Sequence, residues 1–204
     1  MYALIQNGNV ILIQDNPPEI IDTSDGGCIT GFHLADDATK LGYGWYPIVD
    51  SRPTTTYDML DGPVYTINDT TVTATYTGRS FNPDELNSYR TTKIKSLMAM
   101  RWTKASRFNY QSYTNVDSGD QAQSRLTSLV VSLQLSGSTS TTVNWEMNTG
   151  VFETMTMNDL VAFGFAMGTY VQSCWAHYST LLSNINSATD SASIDAVDIT
   201  QGWP

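Results

Sequence analysis

Apolar residues alternate with polar ones over the first third of the chain and then recur every third or fourth position, so a strand-forming stretch precedes a helix-forming one. In "YALIQNGNVILIQD" two apolar runs flank Asn7-Gly8, a pair that accepts the positive φ angles of a type I′ turn, which predicts a hairpin. "PVYTINDTTVTATYTG" repeats the arrangement around Asn68-Asp69, with Gly78 closing the run. At least four strands are expected. Pro17-Pro18, Gly26-Gly27 and "LGYGWYPIVDSRP" carry turn chemistry and read as loops or short edge strands beside a small, half-open antiparallel sheet or barrel.

The period changes at "FNPDELNSYR". Asn82 suits a helix cap, Pro83 the first helical position, and Asp84 and Glu85 the positive end of the helix dipole. Leu86, Tyr89, Ile94, Leu97, Met98, Arg101 and Trp102 then recur at helical spacing, which predicts a long helix to about Ser106. Asp117 is placed to cap a second helix with Leu126, Leu129, Val130 and Leu133 on its apolar face. "TVNWEMNTGVFETM" reads as a hairpin around Asn148-Thr149-Gly150, with Trp145 and Phe152 as core residues. Thr156 caps a last helix from about Met157 to Asn186. The expected class is α+β, an N-terminal antiparallel β domain over residues 1–79 followed by a helical domain with one β-hairpin over residues 80–204.

Charge narrows the partners. At a net charge of -10 the protein repels nucleic acid and anionic lipid, so neither is expected to bind it. Seven of the ten basic residues fall between Arg79 and Arg107, which makes the first long helix a cationic stripe on an anionic protein. Arg90, Lys93 and Arg101 on it are candidate contacts for an acidic partner; the plainer reading is a solvated face paired with the protein's own carboxylates. "LVAFGFAMGTYVQSCWA" is uncharged and carries Gly164 and Gly168 at the spacing of a membrane-helix contact, yet Thr169, Gln172 and Ser173 interrupt it, and a buried helix with a close neighbour is expected instead. Cys28 and Cys174 are expected as free thiols, and "MYALIQNGNVILIQ" has no basic leader, so folding in a reducing cytosol is expected.

Catalytic chemistry is hard to find. His33 and His177 are the two imidazoles, and no nucleophile elbow, zinc-protease helix, phosphate loop or dinucleotide fingerprint is present. Cys174 and His177 are three apart on a helix, but two ligands do not make a zinc site, and a buried thiol is the simpler reading. Asp117 and Asp120 in "DSGD" lack the later ligands of a calcium loop. Asp36-Asp37 and Asp58/Asp61 read as turn residues. No enzyme, cofactor or metal is expected. Tyr43, Trp45 and Tyr46 offer a different chemistry, an aromatic loop able to stack on sugars, against the commoner reading of aromatics in a core.

Several segments together carry a resemblance: "MRWTK", "VDSGDQAQSRL", the Trp145 hairpin, "YVQSCWAHYSTLLSNINSA" and above all the closing "DITQGWP". Over about 115 residues the second half resembles the DUF4376 domain found in phage tail-associated proteins, and the first half looks like the small β modules that precede it. The stretch "LSGSTSTTVNWEMNTG" carries less charge than is usual in that family.

The resemblance implies a non-enzymatic phage tail protein tied to a fibre or baseplate, either an assembly chaperone, released or retained in the particle, or a small structural subunit. It also implies a trimeric fibre as partner, and the host cytoplasm and then the virion tail as location. A receptor- or glycan-binding module at the fibre tip is the alternative, and a hydrolase of host glycans the enzymatic one. Trp203 and Pro204 read as a structural anchor for the helical domain, with a partner-binding plug as the other reading. Limited proteolysis is expected to cut between Gly78 and Asp84 and leave a fragment from about residue 80 that is folded by circular dichroism; an unfolded fragment would refute the boundary.

Overall fold

Asn7 and Gly8, at φ 51° and 75°, turn β1 (Tyr2–Gln6) into β2 (Asn9–Gln14), which pair antiparallel. The computed structural model describes residues 1–137 and 140–204, and the chain divides into two units, Met1–Phe81 and Asn82–Pro204. Ser138 and Thr139, inside the low-charge stretch noted above, lie outside the described residues.

In the first unit β3 (Ile20–Asp22) and β4 (Cys28–Thr30) form a separate short hairpin. A helix α1 (Asp37–Gly42) follows, capped by Asp36, whose carboxylate accepts the Thr39 N–H at 2.7 Å. Next come β5 (Trp45–Ser51), β6 (Met59–Ile67) and β7 (Val72–Arg79). The five-stranded sheet has the order β2-β1-β5-β7-β6. Two expectations are corrected here. The sheet is mixed, because β5 runs parallel to β7, and the segment taken for a loop or edge, Trp45–Ser51, is the central strand. Its approach explains the misreading: Gly44, at φ 82°, lies where a Cβ would come within 2.9 Å of the Ile5 carbonyl, so glycine marks a close backbone contact as well as a turn. Ala3, Phe32, Trp45, Val72 and Ala74 are buried around it. Lys40 is buried too, with Nζ 3.2 Å from the Tyr2 hydroxyl and above the Tyr2 ring.

The second unit opens with α2 (Pro83–Ala105). Asn82 accepts the Asp84 and Glu85 amides while Glu85 accepts the Asn82 N–H, a full capping box. A hairpin then intervenes, β8 (Arg107–Tyr110) with β9 (Tyr113–Asp117), so this unit has two hairpins where the sequence predicts one. Its turn uses Gln111 at φ 54° rather than glycine, and that removes the usual sequence signal. Helix α3 (Asp120–Ser136) starts later than expected. Asp117 does not cap it; its carboxylate accepts the Gly119 N–H at 2.9 Å, and Gly119, at the cap position, gives no side-chain bond.

The Asn148–Gly150 hairpin forms as expected from β10 (Val143–Asn148) and β11 (Val151–Met155). Phe152 is corrected from core to surface: it lies opposite Glu146 on the outer face and is 59% exposed, while Trp145, Met147 and Met155 point inward. Thr156 and Asp159 cap α4 (Met157–Ser187), and a short α5 (Ser191–Asp195) follows.

Two apolar clusters share α4. Leu160, Phe163 and Met167 on its first half meet Phe108, Val116, Leu126, Leu133 and Trp145 from the hairpins and α3. Leu181 and Ile185 on its second half meet Leu97 of α2, with Ile94, Tyr178, Val197, Ile199 and Trp203 packed against them. Arg90 of α2 fastens this end by donating to the Ile185 and Ala188 carbonyls at 3.3 and 2.8 Å, which serves the orphan acceptors of a helix that has no basic residue in its last turn.

The closing motif now has a physical reading. Gly202, at φ 79°, sits where a Cβ would lie 2.8 Å from the His177 ring. The His177 Nε2–H donates to the Gln201 carbonyl at 3.0 Å, and the Trp203 ring meets the imidazole edge-on at 4.8 Å. The Trp203 indole N–H donates to the Ile199 carbonyl at 2.9 Å. Pro204 is exposed. Because the indole is half-buried, Trp203→Ala is expected to destabilise this unit by about 2 kcal/mol, within the range for removing a large apolar side chain, read as a lower denaturation midpoint at unchanged slope. An unchanged midpoint would show that the ring is not an anchor.

Candidate functional site

The basic residues of α2 do not form one solvent-facing stripe. Arg90, Ile94, Leu97 and Arg101 follow one another at four-, three- and four-residue steps, and this row faces α4. Arg90 is committed to the α4 carbonyls and to Asn87. Lys93 lies near enough to Asp198 for its charge to help hold that carboxyl below its usual range, after the larger effects of the Thr200 hydroxyl and amide.

Arg101 is 7% exposed. Its guanidinium carbon lies 4.0 Å from the Trp175 ring centre, 4.7 Å from Trp102 and 4.9 Å from Tyr178. Sequence reasoning picked out Arg101 but missed the aromatic cage. Trp175 and Tyr178 are three apart on α4 and therefore share a face, but only the fold brings that face to α2. Beside the cage lies a cavity of about 60 Å³ bounded by Arg101, Ala105 and Ser106 of α2, by Ser118, Gly119, Asp120 and Gln123 at the start of α3, and by Val171 and Trp175 of α4. The carbonyls at the end of α2 are already used: Ala105 and Ser106 accept from the Ser118 hydroxyl and amide, and Lys104 from the Tyr170 hydroxyl.

A second surface runs between α3 and α4. Leu126, Val130, Val131, Val161, Gly164 and Gly168 line an apolar groove of about 330 Å³. The two glycines differ in role. At Gly164 a Cβ would come within 3.1 Å of Leu126, so glycine sets a close helix contact; at Gly168 nothing lies within 4 Å, and the missing side chain leaves the groove open. Next to Gly164, Phe165 is 80% exposed. Among the described residues, no helix is long and apolar enough to cross a membrane.

The remaining candidates are not brought together. Trp45 is buried in β5, Tyr46 is half-buried, and Tyr43 is exposed with its ring edge-on to Phe32. His177 is engaged by the C-terminal segment, while Cys174 is fully buried beside Tyr170. Among the described residues no group of three or more His, Cys, Asp or Glu is placed to hold a metal ion. Burial raises the Cys174 thiol pKa, and burial together with Cys174 pushes Tyr170 up to about 12. Cys28 is exposed and both cysteines are free. Thiol titration is therefore expected to find one reactive group in the native protein and two after denaturation without reductant; two fast-reacting thiols in the native protein would contradict the burial of Cys174.

No curated protein and no solved structure shows a significant match to the chain. One family does, a domain of unknown function, DUF4376, over residues 84–201, from the second residue of α2 to the residue before Gly202. The match spans more than half of the chain and both apolar clusters of the second unit, and the chain belongs to the DUF4376 family.

Proposed function

We propose that this chain is a non-enzymatic bacteriophage tail protein that binds a tail fibre or baseplate polypeptide, as an assembly chaperone, released or retained, or as a small structural subunit. The observation that carries the reading is the α3–α4 groove: an apolar, uncharged surface, flanked by an exposed Phe165, on a protein of net charge -10. Apolar surface of this kind is costly to leave in water and is used for protein contacts. Membership of the DUF4376 family supports the setting through the resemblance to tail-associated proteins. A trimeric fibre is the partner proposed, met in the host cytoplasm and carried into the virion tail. The acidic surface favours neither nucleic acid nor anionic membrane.

Quantitative mass spectrometry of purified particles tests the setting. A fixed copy number per tail is expected. Its absence from particles, together with failure to co-purify with the fibre from infected cells, would overturn the proposal. In the same co-purification, Val161→Asp and Phe165→Asp are expected to reduce fibre recovery at least tenfold while circular dichroism stays unchanged, since each puts a charge onto an apolar contact.

A further inference from the structure

We propose that the cavity beside Arg101 is a carboxylate-binding site, and that a partner polypeptide inserts an acidic side chain or its C-terminal carboxylate there. A buried guanidinium is normally paired with a carboxylate or with carbonyl oxygens. Arg101 has neither: among the described residues it makes no hydrogen bond and no ion pair, and the rings of Trp102, Trp175 and Tyr178 surround it. Aromatic rings stabilise the charge but accept no conventional N–H bond, and the guanidinium nitrogens keep a little solvent contact, since His33 Nδ1 is the one fully buried side-chain polar atom without a partner among the described residues. The side chain lines a cavity that the start of α3 also lines. That 17-residue helix has no side-chain cap at Gly119, but the Asp117 carboxylate accepts the Gly119 N–H at 2.9 Å and Asp120 lies in its first turn, so Arg101 rather than the helix end supplies the main pull on an anion.

Shape and charge favour a carboxylate over a phosphate. A planar carboxylate matches the edge of a guanidinium in a two-bond fork, and a cavity of about 60 Å³ accommodates a group of that size. Asp120 stands at the rim and opposes any anion, so a single negative charge is tolerated better than two. Trp102 and Trp175 flank the site and are 53% and 44% exposed, which supplies the apolar contact that a polypeptide, rather than a free ion, would use. The site deepens the binding role proposed above, but its test needs neither a phage nor a fibre, so the two can fail separately.

The test is a nitrogen-15 correlation titration of the full chain at constant ionic strength. N-acetylglycinate represents a chain terminus, the α-amide of N-acetylglutamate an acidic side chain, and sulfate and chloride serve as comparison anions. A saturable downfield shift of the Arg101 Nε–H signal, with shifts of the Asp120 and Gln121 amides, is expected with one or both carboxylates, and the stronger of the two identifies the source. Arg101→Lys, which keeps the charge and loses the fork, is expected to weaken binding at least tenfold. Ala105→Leu, which fills the cavity and leaves Arg101 in place, is expected to do the same and covers the case in which the arginine variant does not fold. A linear, chloride-like response, a larger response to sulfate, or full binding by Ala105→Leu would overturn the proposal.

Discussion

Burial of α4 at both ends is the interaction on which the second unit depends. One helix of 31 residues supplies Phe163 and Met167 to the core built with α3 and the hairpins, and Leu181 and Ile185 to the core built with α2 and the C-terminal segment. The first cluster is much the larger, and each half of α4 depends on the layers packed on it. The helix needs this support because, from Leu160 to Ser187, it contains no Asp, Glu, Lys or Arg. Its outward face is instead carried by uncharged polar residues such as Thr169, Gln172, Ser173, Ser183 and Asn184, while its inward face is covered by the two clusters.

Cations are used sparingly and inwardly. A patterned run of Arg and Lys on a helix usually reads as a wet face. Here two of the arginines turn toward α4 and do different work, Arg90 by closing the carbonyl end of that helix and Arg101 by standing among three aromatic rings. With few charges anywhere on the chain, each inward arginine leaves the outer surface more acidic, which sharpens the contrast between that surface and the apolar groove.

Local rules made much of the fold legible. The Asn7-Gly8, Asn68-Asp69 and Asn148–Gly150 turns and the caps at Asn82 and Thr156 are written in residues whose own chemistry fixes the backbone. Failures came where tertiary contact decides. Gln111 takes a left-handed turn without glycine, Phe152 has the hydrophobicity of a core residue but the outward register, and Trp45–Ser51 is punctuated like a loop yet is held between β1 and β7. At the candidate site Arg101 was visible as a charge, whereas its cage joins residues more than seventy positions apart, and no local pattern encodes that.

The Arg90–Ala188 and Tyr89–Asp195 hydrogen bonds span 98 and 106 positions, and the Gly202–Trp203 clasp closes over the same end of α4. A ribosome releases such a chain in order, so α2 emerges long before anything exists to cover its Leu97 row. The first cluster of the second unit can assemble early, since its buried members lie between Phe108 and Met167, but the second must wait for the segment from Leu181 to Trp203. During that interval the nascent polypeptide exposes an apolar seam, and the emergence of Val197, Ile199 and Trp203, rather than any local helix propensity, times its closure.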